Sequence, residues 1–307
     1  MHRFRNWHLF AICVLIWGTT WHAVTYQVAP IAPEVAVALR FGMAGALVLL
    51  GCRLAGSRLR FGWHDHRLLA LQGAFLYGLA YLGVYYAERH IASGLVAVGY
   101  SASPLVSGVG ARLLFGIEVG RRFMVGGLLG LAGVALIFWP EFSKAVHGED
   151  VVLGAAFTVA SVLLSMVGTL TASRNRPRGL PFWPALGYGM LYGAAACMLI
   201  GLARGESFRL PAAMSWWSSL VYLTLAGSVL AFACFLTLQD RIGPGPTNSI
   251  GVMTPLLALL VSIALEGFRP DPFTAAGATL AVIGNVLMLG RTFARGAGRS
   301  VRMAPAE

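Results

Sequence analysis

Residues 91–136 read IASGLVAVGYSASPLVSGVGARLLFGIEVGRRFMVGGLLGLAGVAL, and residues 242–287 read IGPGPTNSIGVMTPLLALLVSIALEGFRPDPFTAAGATLAVIGNVL. Set 151 positions apart without a gap, the two stretches pair Ile91 with Ile242, Gly94 with Gly245 and Pro104 with Pro255. The match runs on through Leu105 and Leu256, Leu114 and Leu265, Gly116 and Gly267, and Gly126 and Gly277. It closes with Leu129 and Leu280, Gly133 and Gly284, and Leu136 and Leu287. Half of these identities are Gly or Pro, which set backbone shape rather than supply apolar bulk. The pattern predicts an internal duplication.

Composition says what surrounds the chain. Of 307 residues, 57% are hydrophobic and only 11% are charged, with a mean hydropathy of +0.72. A soluble domain of this length carries about 25% charge, so much of this surface must face something other than water. The net charge of +11 sits in short basic clusters between apolar runs, the pattern of membrane loops rather than of a nucleic-acid face. Cys13, Cys52, Cys197 and Cys234 are scattered singly and have no metal-ligand or CxxC spacing, so they read as small core residues. The first apolar run lacks the cleavage site of a signal peptide.

Ten segments are long enough to cross the hydrocarbon, which takes about 20 residues each. They fall near 8–28, 34–54, 68–87, 92–115, 123–140, 151–171, 182–203, 216–237, 244–265 and 272–290. The expected fold is an all-α polytopic membrane protein of ten transmembrane helices. Residues 1–142 would form a first five-helix repeat, 151–292 a second, inverted one, and 293–307 a cytoplasmic basic tail. With both termini inside, seventeen basic residues fall on the inner side and five, Arg89, Lys144, Arg204, Arg209 and Arg269, on the outer. Five helices per repeat, an odd number, turns the second copy upside down. That arrangement suits alternating access around a central site.

Several stretches resemble the drug/metabolite transporter superfamily, specifically its EamA-type ten-helix exporters. They are Trp17-Gly18-Thr19, Pro33 through Arg40-Phe41 to Ala44, and Ser103-Pro104-Leu105 running to Phe115-Gly116-Ile117-Glu118. Leu223 to Phe235 resembles the eighth helix of that family. The second copy of the fourth-helix signature, Thr254-Pro255-Leu256 to Leu265-Glu266-Gly267, has its Glu displaced. The resemblance implies export of amino acids or other small metabolites across the cytoplasmic membrane, with the site between the halves.

Polar and aromatic side chains at membrane depth are the candidate site residues. Trp17, Thr20 and Trp21 share one face of the first helix and either line a cavity or pack between helices. Trp7, Trp139, Trp216 and Trp217 fall at helix ends and read as an interfacial belt. Tyr77, Tyr81 and Tyr85 form a stripe on the third helix whose hydroxyls need partners, which a wet cavity would provide. Ser161, Ser165 and Thr169 form another on the sixth, where close packing is the commoner role. The glycine pairs Gly126 with Gly130 and Gly189 with Gly193 read as helix-packing surfaces.

Pro104 and Pro255 each read as mid-helix hinges that free the carbonyls of Tyr100 and Gly251. Each follows a hydroxyl residue, Ser103 or Thr254, and Asn248 lies nearby. Such a group would suit an ammonium or amide, and a plain kink is the alternative. Arg40 is expected to snorkel to the outer face or to form a structural pair rather than to meet a substrate carboxylate. His22 reads as a hydrogen-bonded cavity or interface residue.

Glu34, Glu88, Glu118 and Glu266 all fall at helix ends, so a carboxylate proton relay is disfavoured and uniport or weak coupling favoured. No GxxxxGK[ST] loop is present, so the chain reads as using neither ATP nor a cofactor. The reading is a multi-pass inner-membrane exporter of small, neutral or amphiphilic metabolites, amino acids foremost. A lipid or lipid-linked sugar flippase is the nearer alternative. An integral membrane enzyme acting on lipid is the further one, since no catalytic cluster appears.

Overall fold

The computed structural model describes residues 5–28, 30–91, 93–137, 139, 149–175, 179–265 and 271–289. Among these the ordered elements are all helical. In chain order they are α1 Asn6–Val28, α2 Pro33–Leu54, α3 Trp63–His90, α4 Ser93–Tyr100, α5 Ser103–Phe115 and α6 Arg121–Ile137. The second half gives α7 Glu149–Asn175, α8 Phe182–Ala203, α9 Met214–Ile242, α10 Pro244–Asn248, α11 Ile250–Leu265 and α12 Pro272–Leu289. Seven described helices are long and apolar enough to cross a membrane. The chain is a polytopic helical membrane protein.

The other three expected spans are shorter or interrupted. The expected span 92–115 is broken at Ser101–Ala102 into α4 and α5. The expected span 244–265 is broken at Ser249 into α10 and α11. α6 has 17 residues. Local chemistry explains several boundaries. Pro33 and Pro272 open α2 and α12 in the first turn, where the missing N–H costs nothing. Asp271 caps α12 by accepting from the Thr274 hydroxyl and, at 2.7 Å, its backbone N–H. Those bonds hold the Asp271 carboxyl below its usual pKa. Gly116, at φ 66°, ends α5 in the left-handed conformation.

Both α3 and α9 contain a wide π-helical turn, Ala74–Leu79 in one and Leu223–Leu230 in the other. Moving the first by 151 positions lands it inside the second. Such turns rotate the following helix face relative to the preceding one.

Packing pairs run across the two halves of the chain. α6 packs on α12, α2 on α8, α3 on α7, and α1 on both α9 and α11. The α6–α12 seam is antiparallel and built on glycine. A Cβ at Gly126 would lie 2.6 Å from the Gly284 carbonyl, and one at Gly133 would lie 2.6 Å from that of Gly277. Only glycine lets the two backbones approach so closely, which is the usual source of membrane-helix affinity. Gly193 of α8 sits likewise against the Gly73 carbonyl of α3.

Two expectations need correction, one about burial and one about helix position. Trp216 is not a belt residue: it is 1% exposed and packs in the core, where its carbonyl accepts from the Gln27 side chain. Trp7, Trp139 and Trp217 are exposed. Pro104 is not mid-helix: it stands in the first turn of α5, just after the break, whereas Pro255 lies inside α11. The two prolines therefore hold unlike local structures at corresponding positions.

Candidate functional site

A cavity of about 100 Å³ lies among α1, α2, α3, α4, α5, α7, α9, α10 and α11. Trp17, Thr20, Trp21 and Val24 of α1 form one wall, at the 3.6-residue spacing that puts them on one face. The third helix supplies Leu76, Tyr81 and Val84, and α9 supplies Phe232 and Phe235. The broken helices supply Tyr100 and Ser103 from one half and Asn248, Ile250, Gly251 and Thr254 from the other, with Ser165 of α7 between.

The aromatic side chains form a connected wall. The Trp17 ring meets Phe232 and Phe235, each with centroids 5.2 Å apart, and its Nε1–H donates to the Gly227 carbonyl at 3.1 Å. Tyr81 stands edge-on to Phe41 at 4.8 Å, and Trp21 stands edge-on to Tyr100 at 5.9 Å. Three of these four contacts are edge-to-face, a preferred geometry for aromatic pairs.

Nine of the ten sequence-predicted binding positions line this cavity: Trp17, Thr20, Trp21, Tyr81, Tyr100, Ser103, Ser165, Asn248 and Thr254. Tyr77 does not. It is fully buried in the core against Phe232 and Phe41. Tyr85 is fully buried as well, and neither hydroxyl makes a hydrogen bond of good geometry, although Gln72 stands near the first and Arg40 near the second. The reason is the π turn containing Tyr77, which breaks the even stripe expected of Tyr77, Tyr81 and Tyr85. The other expected stripe also divides. Ser161 is buried, donates to the Ala80 carbonyl and bonds the Tyr100 hydroxyl, while Ser165 faces the cavity.

The carbonyls expected to be freed by proline are met by neighbouring hydroxyls. Ser103 Oγ donates to the Tyr100 carbonyl at 2.6 Å, and Ser101 Oγ donates to that of Gly251 at 3.5 Å. Asn248 holds its own α10 turn, its amide donating to the Pro244 carbonyl at 2.8 Å.

Arg40 departs most from expectation. It does not snorkel: it is 1% exposed, lines the cavity, and donates from Nε to Ser228 Oγ at 2.9 Å. Its guanidinium carbon lies 4.7 Å from the Tyr81 ring centre and 5.0 Å from that of Phe41. The face of α2 that carries Arg40 is covered by α3 and α9, so a stem of this length reaches protein rather than water. Two of the acidic residues at helix ends have buried carboxyls. Glu34 is 0% exposed, accepts from the Tyr86 hydroxyl, and pairs with Arg204 at 3.4 Å. Both carboxyl oxygens of Glu88 are enclosed without a hydrogen-bond partner. Glu118 is exposed, and Glu266 lies outside the described residues.

Sequence reasoning missed Phe232 and Phe235. They carry no polar signal at membrane depth, and only their three-residue spacing on one face of α9 would have marked them. No group of three or more His, Cys, Asp or Glu suited to a metal occurs among the described residues.

An apolar helical bundle wrapped around a partly open aromatic and hydroxyl-lined cavity fits a polytopic membrane protein of the transporter class. The EamA-like transporter family model matches the chain twice, over residues 6–139 and 153–290, and the chain belongs to that family. It is 27% identical over 266 residues to the uncharacterized inner membrane transporter YedA of Escherichia coli, covering 84% of this chain and 82% of that one. It is 25% identical over 259 residues to protein PecM of Dickeya dadantii, covering 84% and 83%. It is 25% identical over 273 residues to the uncharacterized transporter YvbV of Bacillus subtilis, covering 87% and 84%. A crystal structure with 20% identity superposes with a TM-score of 0.73 over 94% of this chain and 98% of that one, which is a likeness of fold.

Proposed function

We propose that this chain exports small neutral or amphiphilic metabolites, amino acids foremost, across the inner membrane by alternating access of two inverted five-helix repeats. The observation that carries the reading is the cavity itself, which draws its lining from both halves of the chain. Trp17, Tyr81, Tyr100 and Ser103 come from one, and Ser165, Phe232, Asn248 and Thr254 from the other. A substrate held there touches both halves and responds to any change in their relative position.

The contact pattern supports inversion. Exchanging positions 151 apart turns the Gly126–Gly284 contact into Gly277–Gly133, which is also made. It likewise turns the packing of α1 on α9 into that of α7 on α3, and both pairs pack. The matched π turns follow the same exchange. The double match to the family model agrees with a duplicated chain.

The test is efflux from proteoliposomes loaded with single radiolabelled amino acids. The reading expects protein-dependent efflux of at least one. No efflux of any amino acid or small amphiphile, in vesicles where the protein is folded, would contradict it.

A further inference from the structure

We propose that Arg40 is the anchor for a substrate carboxylate, so that the cavity selects monocarboxylates with an apolar or aromatic body over amines. The proposal rests on the reading of the cavity as the transport site, and it narrows the class of cargo.

The argument starts from cost. A guanidinium enclosed at membrane depth loses its hydration, and this loss is large unless an opposite charge and hydrogen bonds replace it. Arg40 is only partly compensated. Nε has Ser228, the Tyr81 and Phe41 rings give cation–π contact, and the Tyr81 and Tyr85 hydroxyls face the guanidinium, but the enclosed Nη1 has no hydrogen-bond partner of good geometry. No ion pair of Arg40 occurs among the described residues. The enclosed carboxyl of Glu88 lies near enough to feel its charge but accepts no hydrogen bond and does not line the cavity.

A second donor in the same wall is in the same condition. The indole N–H of Trp21 is buried without an acceptor. Both unfilled groups donate, and one carries a fixed positive charge. No carboxylate lines the cavity. The chemistry that completes this wall is therefore an acceptor with a negative charge. A carboxylate fits the planar guanidinium fork, and one charge matches one charge, whereas a phosphate dianion would leave an excess. The remainder of the ligand meets Trp17, Tyr100, Phe232 and Phe235, which favour an apolar or aromatic body. A free amine would meet Arg40 with like charge.

The experiment measures melting temperature of the purified protein against four compounds sharing one phenyl body: phenylalanine, 3-phenylpropionate, phenylalaninamide and 2-phenylethylamine. A ligand that binds only the folded state raises the melting point. Phenylalanine and 3-phenylpropionate should raise it, and the two amines lacking a carboxylate should not. Arg40→Gln should weaken the response to both carboxylates by about tenfold or more, the usual loss for a charge-assisted hydrogen bond. Ser228→Ala, which keeps the guanidinium, should retain the preference, and it serves as the second variant if Arg40→Gln does not fold. Amines that stabilise as strongly as carboxylates overturn the proposal. So does an unchanged carboxylate response in folded Arg40→Gln, or no response to any of the four. Efflux separates the two readings: transported amines with untransported carboxylates would sink Arg40 as anchor and leave transport standing.

Discussion

The backbone of Gly251 rests directly on the carbonyl of Tyr100, so closely that a Cβ at position 251 would lie 2.7 Å from that oxygen. The two residues are 151 positions apart, so each is the other's counterpart in the duplicated stretch. The interrupted helices thus meet at the place where the two halves correspond, beside Ser103 and Thr254 in the cavity wall. Gly251→Ala puts a methyl against backbone, which cannot rotate away. Overpacking of this kind costs about 1–3 kcal/mol. The variant should melt lower than wild type and lose export, whereas Gly62→Ala, whose nearest neighbour beyond the adjoining residues is the Asp65 side chain at 3.8 Å, should change neither. Thermal melting and efflux on both variants check this; an unaltered Gly251→Ala protein would mean the junction is loose.

The paired prolines should act in opposite senses. Pro104 follows a helix break and Pro255 sits within a helix. Pro104→Ala and Pro255→Ala each restore a backbone donor, and each should favour the straighter form of its own helix. A shift of about 1.4 kcal/mol changes a population ratio tenfold. Spin-label distances between α1 and α7 should move in opposite directions in the two variants. Distributions identical to wild type would leave the prolines as static kinks.

The cavity aromatics give a separable test of binding and packing. Trp17→Ala removes a ring contacting Phe232 and Phe235, and Tyr81→Ala removes one contacting Phe41 and the Arg40 guanidinium. Both side chains are only half-buried at the cavity edge. Export should fall by about tenfold, since aromatic–aromatic and cation–aromatic contacts are each worth about 0.5–2 kcal/mol, with melting temperature little changed. Tyr77→Ala, buried in the core, should instead lower the melting temperature. Equal loss of folded protein in all three would assign Trp17 and Tyr81 to packing.

Orientation follows from the basic loops and is testable at two serines. The positive-inside bias puts the loop holding Ser57 inside and the loop holding Ser207 outside. Both positions are exposed, and the four native cysteines are buried. A membrane-impermeant maleimide applied to intact cells should label Ser207→Cys and spare Ser57→Cys. The reverse pattern would invert the topology.

How much of this was legible in the sequence differs by residue. The helices were, because apolar length has few alternatives in a membrane. So was most of the cavity: Trp17, Thr20 and Trp21 share a face by simple helical spacing, and that spacing survives in α1. Tyr77 misled because a π turn, invisible to a 3.6-residue count, runs through it. Arg40 misled because sequence gives its depth but not its neighbours; burial by α9 and α3 is a tertiary fact. Glu88 and Glu34 show the same thing for helix ends, which lie at a surface only where nothing else packs. Phe232 and Phe235 stayed hidden because an apolar ring at membrane depth has two equally good places to be.

Alternating access is tested most directly at Ser165, which lines the cavity from α7. In a background with the four native cysteines replaced, Ser165→Cys should react with an impermeant thiol reagent applied from either face, in right-side-out and inside-out vesicles alike. A saturating transported substrate should slow both reactions. Reaction from one face only, unchanged when substrate is supplied on either side, would mean that the cavity never turns over and would contradict the account.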